Sequence, residues 1–155
     1  MDNEIVVYFP TNNIGKYERY KKSFELAKIP YERYLVNNEG KEEIVDIKED
    51  GKTTKENAEK KAKGYYDAYV KKIPGKSFII ITTDEALYIE GLNDEEQPGQ
   101  FVRRFGGMDG KRATDEEVVK KYTELINKLG GNAKARWHYS MVTYNGEKYS
   151  YLEWD

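Results

Sequence analysis

These 155 residues contain no cysteine, which excludes disulfides, thiolate metal sites and cysteine nucleophiles. There is one histidine, His138, set in a late alternating run. With no second histidine and no serine–aspartate arrangement legible around it, a structural role is expected of it. Long apolar runs are also missing. No stretch approaches the roughly 20 residues that a membrane span needs, and the mean hydropathy is −0.91. The start, Met1-Asp2-Asn3-Glu4, lacks the basic opening of a secretory signal, so a cytoplasmic protein without a membrane partner is expected. Nor is there an excess of positive charge. Lys and Arg total 26 against 28 Asp and Glu, and a net charge of −2 gives no global field for gripping a nucleic acid.

Charge and tyrosine are what the chain has in quantity. Charged residues make up 35% and hydrophobic residues 38%, so the apolar side chains are gathered into a few short runs inside a heavily charged surface. The length fits one domain spanning 1–155, large enough to bury a core. The 14 tyrosines sit mostly at core or half-buried positions, where a ring with a polar tip suits the edge of a small core.

Order along the chain indicates an α/β fold. Ile5 to Phe9 reads as a buried strand ended by Pro10, followed by the polar turn Thr11-Asn12-Asn13-Ile14-Gly15-Lys16. Tyr17, Tyr20, Phe24 and Ala27 then recur at helical spacing until Pro30. Tyr31 to Val36 predicts a second strand and Glu42 to Ile47 a short third. A charged loop with Gly51 leads to Thr54, the expected N-cap of a helix running to about Lys72 with Ala58, Ala62, Tyr65 or Tyr66, and Tyr69 on its apolar face. Phe78 to Ile81 is the most apolar run and predicts a central strand, with Leu87 to Ile89 as a separate short one. A brief helix is expected around Phe101 to Phe105. Thr114 opens the clearest helix, with Val118, Val119, Tyr122, Leu125, Ile126 and Leu129 on one stripe and Gly130-Gly131 closing it. Ala135 to Thr143 and Lys148 to Trp154 form a hairpin around Asn145-Gly146.

Three segments can carry chemistry. In the first turn, backbone N–H groups at a helix start lie beside a hydroxyl, an amide and the Lys16 ammonium, which makes an anion site; the alternative is an ordinary polar turn. The second segment is acidic: Asp46, Glu49 and Asp50, with Asp84 and Glu85. Mg²⁺ takes one or two carboxylates with phosphate oxygens completing its shell, and a further carboxylate can orient or deprotonate a water that attacks phosphorus. Most acids in so charged a chain are solvated surface. Asp84 differs, because it follows directly on the most apolar run, where open α/β sheets put their ligands. The third segment runs from Pro98 to Gly107, where Arg103 and Arg104 each offer a donor fork suited to phosphate; the alternative is that one or both reach into solvent, which is expected of Arg103.

Taken in order, these segments resemble the Ham1/ITPase family. Thr11, Asn13 and Lys16 match its opening Thr-x-Asn-x-x-Lys loop. Gly51-Lys52-Thr53-Thr54-Lys55-Glu56-Asn57-Ala58-Glu59-Lys60-Lys61-Ala62 closely resembles its Gly-x-Thr-x-x-Glu-Asn-Ala-x-x-Lys-Ala helix start. Thr83-Asp84-Glu85-Ala86-Leu87 falls on its Asp-Asp-Ser-Gly-Leu motif, and Pro98-Gly99 through Arg104-Phe105 on its Pro-Gly-x-Tyr-Ser-Ala-Arg-Tyr segment. The resemblance implies a central mixed twisted sheet flanked by helices and Mg²⁺-dependent hydrolysis of non-canonical nucleoside triphosphates to monophosphate and pyrophosphate. It also implies a homodimer. By the same resemblance Thr11, Asn13, Lys16, Lys61 and Arg104 hold the phosphates, and Asp84 activates water. Asp46 or Glu49 falls near the metal-binding carboxylate, and Glu85 is a further candidate for the metal. Two departures stand out. Thr83 and Glu85 replace an Asp and a Ser. The family's Phe-Gly-Tyr/Trp-Asp-Pro and Ser-His-Arg segments, which read the purine base, do not occur in these residues, so the likeness covers the phosphate and metal half of the family's site. A diverged module that binds a nucleotide without hydrolysing it is the rival expectation.

Overall fold

The computed structural model describes residues 5–32, 45–102 and 113–155. Along the chain come β1 (Val6–Tyr8), α1 (Ile14–Leu26), α2 (Thr54–Lys72), β2 (Phe78–Ile89), α3 (Asp115–Lys128), β3 (Ala135–Tyr144) and β4 (Tyr149–Trp154). The strands join in one sheet in the order β1-β2-β3-β4. β1 lies parallel to β2, with Val6 opposite Phe78 and Tyr8 opposite Ile80. β3 runs antiparallel to β2, because the N–H of Glu90, just past the end of β2, donates to the carbonyl of Lys134, just before β3. The sheet is therefore mixed and the α/β class holds. Among the described residues no helix is long and apolar enough to cross a membrane.

Two compact units make up the chain: Met1–Asp84 with Ser140–Leu152, and Glu85–Tyr139 with Glu153–Asp155. The first is built on aromatic packing. Tyr8, Ala58, Ala62, Tyr65, Tyr69, Phe78, Ile80 and Val142 form one buried cluster. Ala58 and Ala62, both fully buried, are small enough to let α2 lie close to β2. Tyr8 meets Tyr69 and Phe78 edge-to-face at centroid distances of 5.3 and 5.7 Å, the geometry favoured by ring quadrupoles. Phe9 likewise meets Tyr20 and Phe24 of α1. Among the described tyrosines, Tyr8, Tyr20, Tyr65 and Tyr69 are buried in the core, while Tyr151 is exposed.

Several boundaries differ from those read in the sequence, each for a local reason. α1 begins at Ile14, three residues before the apolar spacing shows, because the Asn13 side chain caps it by accepting from the Lys16 N–H at 3.0 Å. The cap of α2 is Thr53, not Thr54: the Thr53 hydroxyl accepts from the Glu56 N–H at 3.1 Å. Thr54 has turned inward, and its hydroxyl pairs with that of Ser140 at 2.6 Å. The two strands expected at Phe78 to Ile81 and Leu87 to Ile89 are one strand of 12 residues. Thr82 does not interrupt it, because its hydroxyl donates to the Ala58 carbonyl at 2.6 Å. Of the expected second strand only Tyr31 and Glu32 are described, and Glu32 bridges in parallel to Tyr8. The short third strand does not form over Val45 to Ile47, which carries no regular structure, and its earlier residues lie outside the described ones. Phe101 and Val102 form a turn, and the remainder of that expected helix also lies outside.

In the second unit, Gln97 staples the end of β2, accepting from the Ile89 N–H at 2.7 Å and donating to the Ile89 and Leu92 carbonyls. His138 is tied to Asp155 at 2.7 Å through Nδ1, which agrees with a structural role. α3 starts with a full capping box: the Thr114 hydroxyl accepts from the Glu117 N–H, and the Glu117 carboxylate accepts from the Thr114 N–H. Thr114→Ala, which removes half of this box, is expected to lower stability by about 1 kcal/mol. In a urea titration the midpoint should fall with the slope unchanged.

Candidate active site

The site lies within the first unit and is assembled by three segments. The Thr11 hydroxyl accepts from the Asn13 N–H at 3.1 Å, and Asn13 caps α1, so the turn is fixed by its own side chains. From the first turn of α1 the Lys16 ammonium reaches back to the Thr83 carbonyl at 3.4 Å. This turn carries no acidic residue, so the positive end of the helix dipole is left available to an anion. By contrast α2 has Glu56 in its first turn and α3 has Asp115, Glu116 and Glu117.

Lys61 comes from the middle of α2, facing β2. Its ammonium has three donors and spends them on three oxygens: Asp84 Oδ1 at 3.0 Å, Glu49 Oε1 at 3.1 Å and the Thr83 carbonyl at 3.3 Å. The pair is withdrawn from solvent, with side-chain exposures of 15% for Lys61 and 9% for Asp84. Burial pulls the Lys61 ammonium towards neutrality, but Asp84 and Glu49 outweigh it and its pKa is raised, so the lysine is charged. Burial pushes the Asp84 carboxyl up, against the pull of Lys61 and Lys16, and its pKa stands above the ordinary carboxylate range. A carboxylate held this way is a better base than an exposed one. Its second oxygen, Oδ2, is buried with no hydrogen-bond partner.

Glu49 reaches Lys61 because the loop carrying it is pinned on both sides. Before it, Ile47 packs onto Gly64 of α2, where a Cβ would meet Ile47 Cγ1 at 2.8 Å. After it, the Gly51 N–H donates to the side-chain oxygen of Asn57 at 2.7 Å, and a Cβ on Gly51 would stand 2.6 Å from that oxygen. The Lys52 N–H donates to Glu56 at 2.6 Å. Asn57 is 2% exposed, so its amide is committed to this task. The sequence reading gave Asn57 no role. The signal was its place in the Glu-Asn-Ala stretch immediately after a glycine-containing loop.

Of the residues singled out in the sequence, Thr11, Asn13, Lys16, Glu49, Lys61 and Asp84 are linked by these contacts. Asp46 is exposed on the same loop. Glu85 is half-buried, and strand alternation turns its side chain to the face opposite Asp84. Arg104 lies outside the described residues. No group of three or more acidic or histidine side chains suited to a metal ion occurs among the described residues. A Mg²⁺ that brings phosphate and water oxygens needs only one or two carboxylates. Glu49 and Asp84, facing one cation and leaving Oδ2 unpaired in a buried position, fit that requirement.

The family model of the Ham1 family matches residues 7–153. A dITP/XTP pyrophosphatase of Borrelia duttonii (strain Ly) is 35% identical over 139 residues, covering 89% of this chain and 61% of the relative. One from Aquifex aeolicus (strain VF5) is 30% identical over 142 residues, covering 88% and 62%. The chain thus spans about three fifths of the length of the curated relatives it matches. The crystal structure of a nucleoside-triphosphatase / dITP/XTP pyrophosphatase from Mycobacterium abscessus superposes with a TM-score of 0.59 at 17% identity, over 96% of this chain and 69% of that one, a likeness of fold. A match running from the first strand almost to the last residue, with its lysines and aspartate gathered at one strand, makes this chain a member of the Ham1 family.

Proposed function

We propose that the protein is a Mg²⁺-dependent nucleoside triphosphate pyrophosphohydrolase that splits non-canonical purine triphosphates such as ITP, XTP or dITP into monophosphate and pyrophosphate. One observation carries the reading. Two ammonium groups from different helices, Lys16 and Lys61, converge on the Thr83 carbonyl beside the buried carboxylate of Asp84. Cations held around one buried base, next to an acid-free helix N-terminus, suit a polyphosphate and a water that must lose a proton. The relatives named dITP/XTP pyrophosphatases support the choice of base and bond.

The chemistry divides among the chain's own groups. The N-terminal turn of α1, with Thr11, Asn13 and Lys16, receives phosphate oxygens, and Arg104 is assigned to the same phosphates by its place in the family motif. Lys61 neutralises phosphate charge from α2. The unpaired Oδ2 of Asp84 takes the proton of the water attacking the α-phosphorus; the new P–O bond forms as the α–β bridge breaks, and pyrophosphate leaves. Glu49 and Asp84 would hold Mg²⁺, which when bound supplies positive charge at the phosphate oxygens. The protein acts in the cytoplasm as a homodimer; the net charge of −2 argues against a nucleic-acid substrate. A second reading, a binding module without turnover, is favoured by Thr83 standing where the family motif has an acid.

The deciding experiment incubates the protein with ITP, XTP, dITP and ordinary triphosphates plus Mg²⁺ and assays pyrophosphate. Turnover of the non-canonical set supports the enzyme, and nucleotide binding without pyrophosphate selects the module. Asp84→Asn is expected to cut turnover about a hundredfold or more. Its stability follows from the raised carboxyl pKa. The folded protein holds this proton more tightly than the unfolded chain does, so the ionised group costs stability once the pH exceeds the ordinary carboxylate range. Asparagine removes that cost but also takes a counter-charge from the buried Lys61, so the check is the pH trend: the Tm of Asp84→Asn relative to the wild type should rise as the pH climbs through the carboxylate range. The opposite trend would contradict the assigned balance of burial over pairing.

Asn57→Ala leaves the buried Gly51 N–H without its acceptor and releases the loop that delivers Glu49. A loss of roughly 1–3 kcal/mol in stability is expected, together with a larger fall in kcat/KM at limiting Mg²⁺ than at saturating Mg²⁺. Asn57→Asp, which keeps an acceptor oxygen, should recover part of both. Equal losses at every Mg²⁺ concentration would reduce Asn57 to a purely structural residue.

A further inference from the structure

In the free protein Lys61 is arranged as a bound cation would be. Its ammonium sits in a nest of three hard oxygens, two carboxylates and a backbone carbonyl, at 3.0 to 3.3 Å. That is the donor set a divalent cation selects. The ammonium and the metal cannot both use it. A metal held by Glu49 and Asp84 would draw on the same two carboxylates, and a second positive charge beside a buried lysine is opposed by Coulomb repulsion. A second feature points the same way. Lys61 is the group expected to meet the triphosphate, yet here all three of its donors are taken by the protein, so it must leave the carboxylates before it can serve a phosphate.

We propose that Lys61 holds the place of the divalent cation in the free protein, and that the metal enters only with the triphosphate, as the chelated nucleotide. Phosphate oxygens draw Lys61 off Glu49 and Asp84, which would then hold the arriving metal, so that one cation replaces another at the same carboxylates. The buried carboxylates are never left without a counter-ion. The true substrate is then the metal–nucleotide complex, and free metal is not a resident cofactor. This rests on the proposed function for the identity of the site, but its consequence for metal binding does not depend on turnover.

The test is Mg²⁺ binding without nucleotide, by calorimetry and thermal shift. Wild-type protein is expected to bind Mg²⁺ alone with a Kd above about 1 mM and to show a Mg²⁺-dependent rise in Tm only when a non-hydrolysable triphosphate analogue is present. Lys61→Met should bind Mg²⁺ alone about tenfold more tightly or better, and its Tm, lowered by the exposed repulsion of Glu49 and Asp84, should be restored by Mg²⁺. Lys61→Gln, which keeps a donor for one carboxylate, should show the same gain in milder form. Lys61→Arg, which keeps the charge, should show none. Tight binding of Mg²⁺ alone by the wild type overturns the proposal without any variant. So does metal affinity in Lys61→Met and Lys61→Gln no greater than wild type. Absence of pyrophosphate release with these metal effects intact would defeat the proposed reaction and leave the competition standing.

Discussion

The arrangement of the first unit depends on one buried ion cluster, the Lys61 ammonium between Asp84 and Glu49. Charges are costly to withdraw from water, and two carboxylates against one lysine leave an excess negative charge in a place of low exposure. Lys16 supplies part of the missing positive charge from α1. What remains is visible in the Asp84 carboxyl, whose proton affinity is raised because burial is not fully repaid. A fold selected for stability alone would put apolar side chains here. Keeping an underpaid carboxylate next to two cations makes sense when an anionic ligand and its counter-ion complete the balance.

The rest of the unit makes that cluster possible. Ala58 and Ala62 bring α2 down onto β2, which places Lys61 within reach of the strand. Thr82, one step of the alternation before Asp84, hydrogen-bonds to the Ala58 carbonyl and fixes the same contact from the other side. The polar triplet therefore does not end the strand. It runs through the middle of a 12-residue strand, with Thr82 bonded to α2 and Asp84 paired with Lys61, while the Thr83 hydroxyl is buried without a hydrogen-bond partner.

This is why the sequence was legible unevenly. The apolar runs, the cap at Thr114 and the hairpin at Asn145-Gly146 announce themselves through local chemistry, since each is decided within a few residues. Thr53 and Thr54 show the limit. Both are good caps by type, and only the hydroxyl of Ser140, 86 residues away, decides that Thr54 faces inward and Thr53 takes the cap. The merging of two short strands into β2 had the same origin, because the partner that lets Thr82 stay buried belongs to α2. The site was read as a set of motifs, and the order of those motifs carried it. Their convergence through Lys16, Lys61 and Asp84 depends on tertiary contacts that no local pattern encodes.

The loop before α2 shows how a motif divides its labour. Gly51 is required for close approach, Asn57 accepts from its N–H, Glu56 accepts from Lys52, Thr53 caps, and Ala58 gives its carbonyl to Thr82. The Lys61 ammonium is held elsewhere, by Asp84, Glu49 and the Thr83 carbonyl. Together the residues of this motif hold Glu49 in place before any ligand arrives, so the entropy of ordering that carboxylate is paid on folding rather than on binding. Glu49 alone would be an exposed surface acid like Asp46, three positions earlier on the same loop. What separates them is that Ile47 on Gly64 and Gly51 on Asn57 bracket Glu49, whereas Asp46 lies outside that bracket. Position between two anchors, more than residue type, therefore makes one acid of this segment part of the site and leaves the other in solvent.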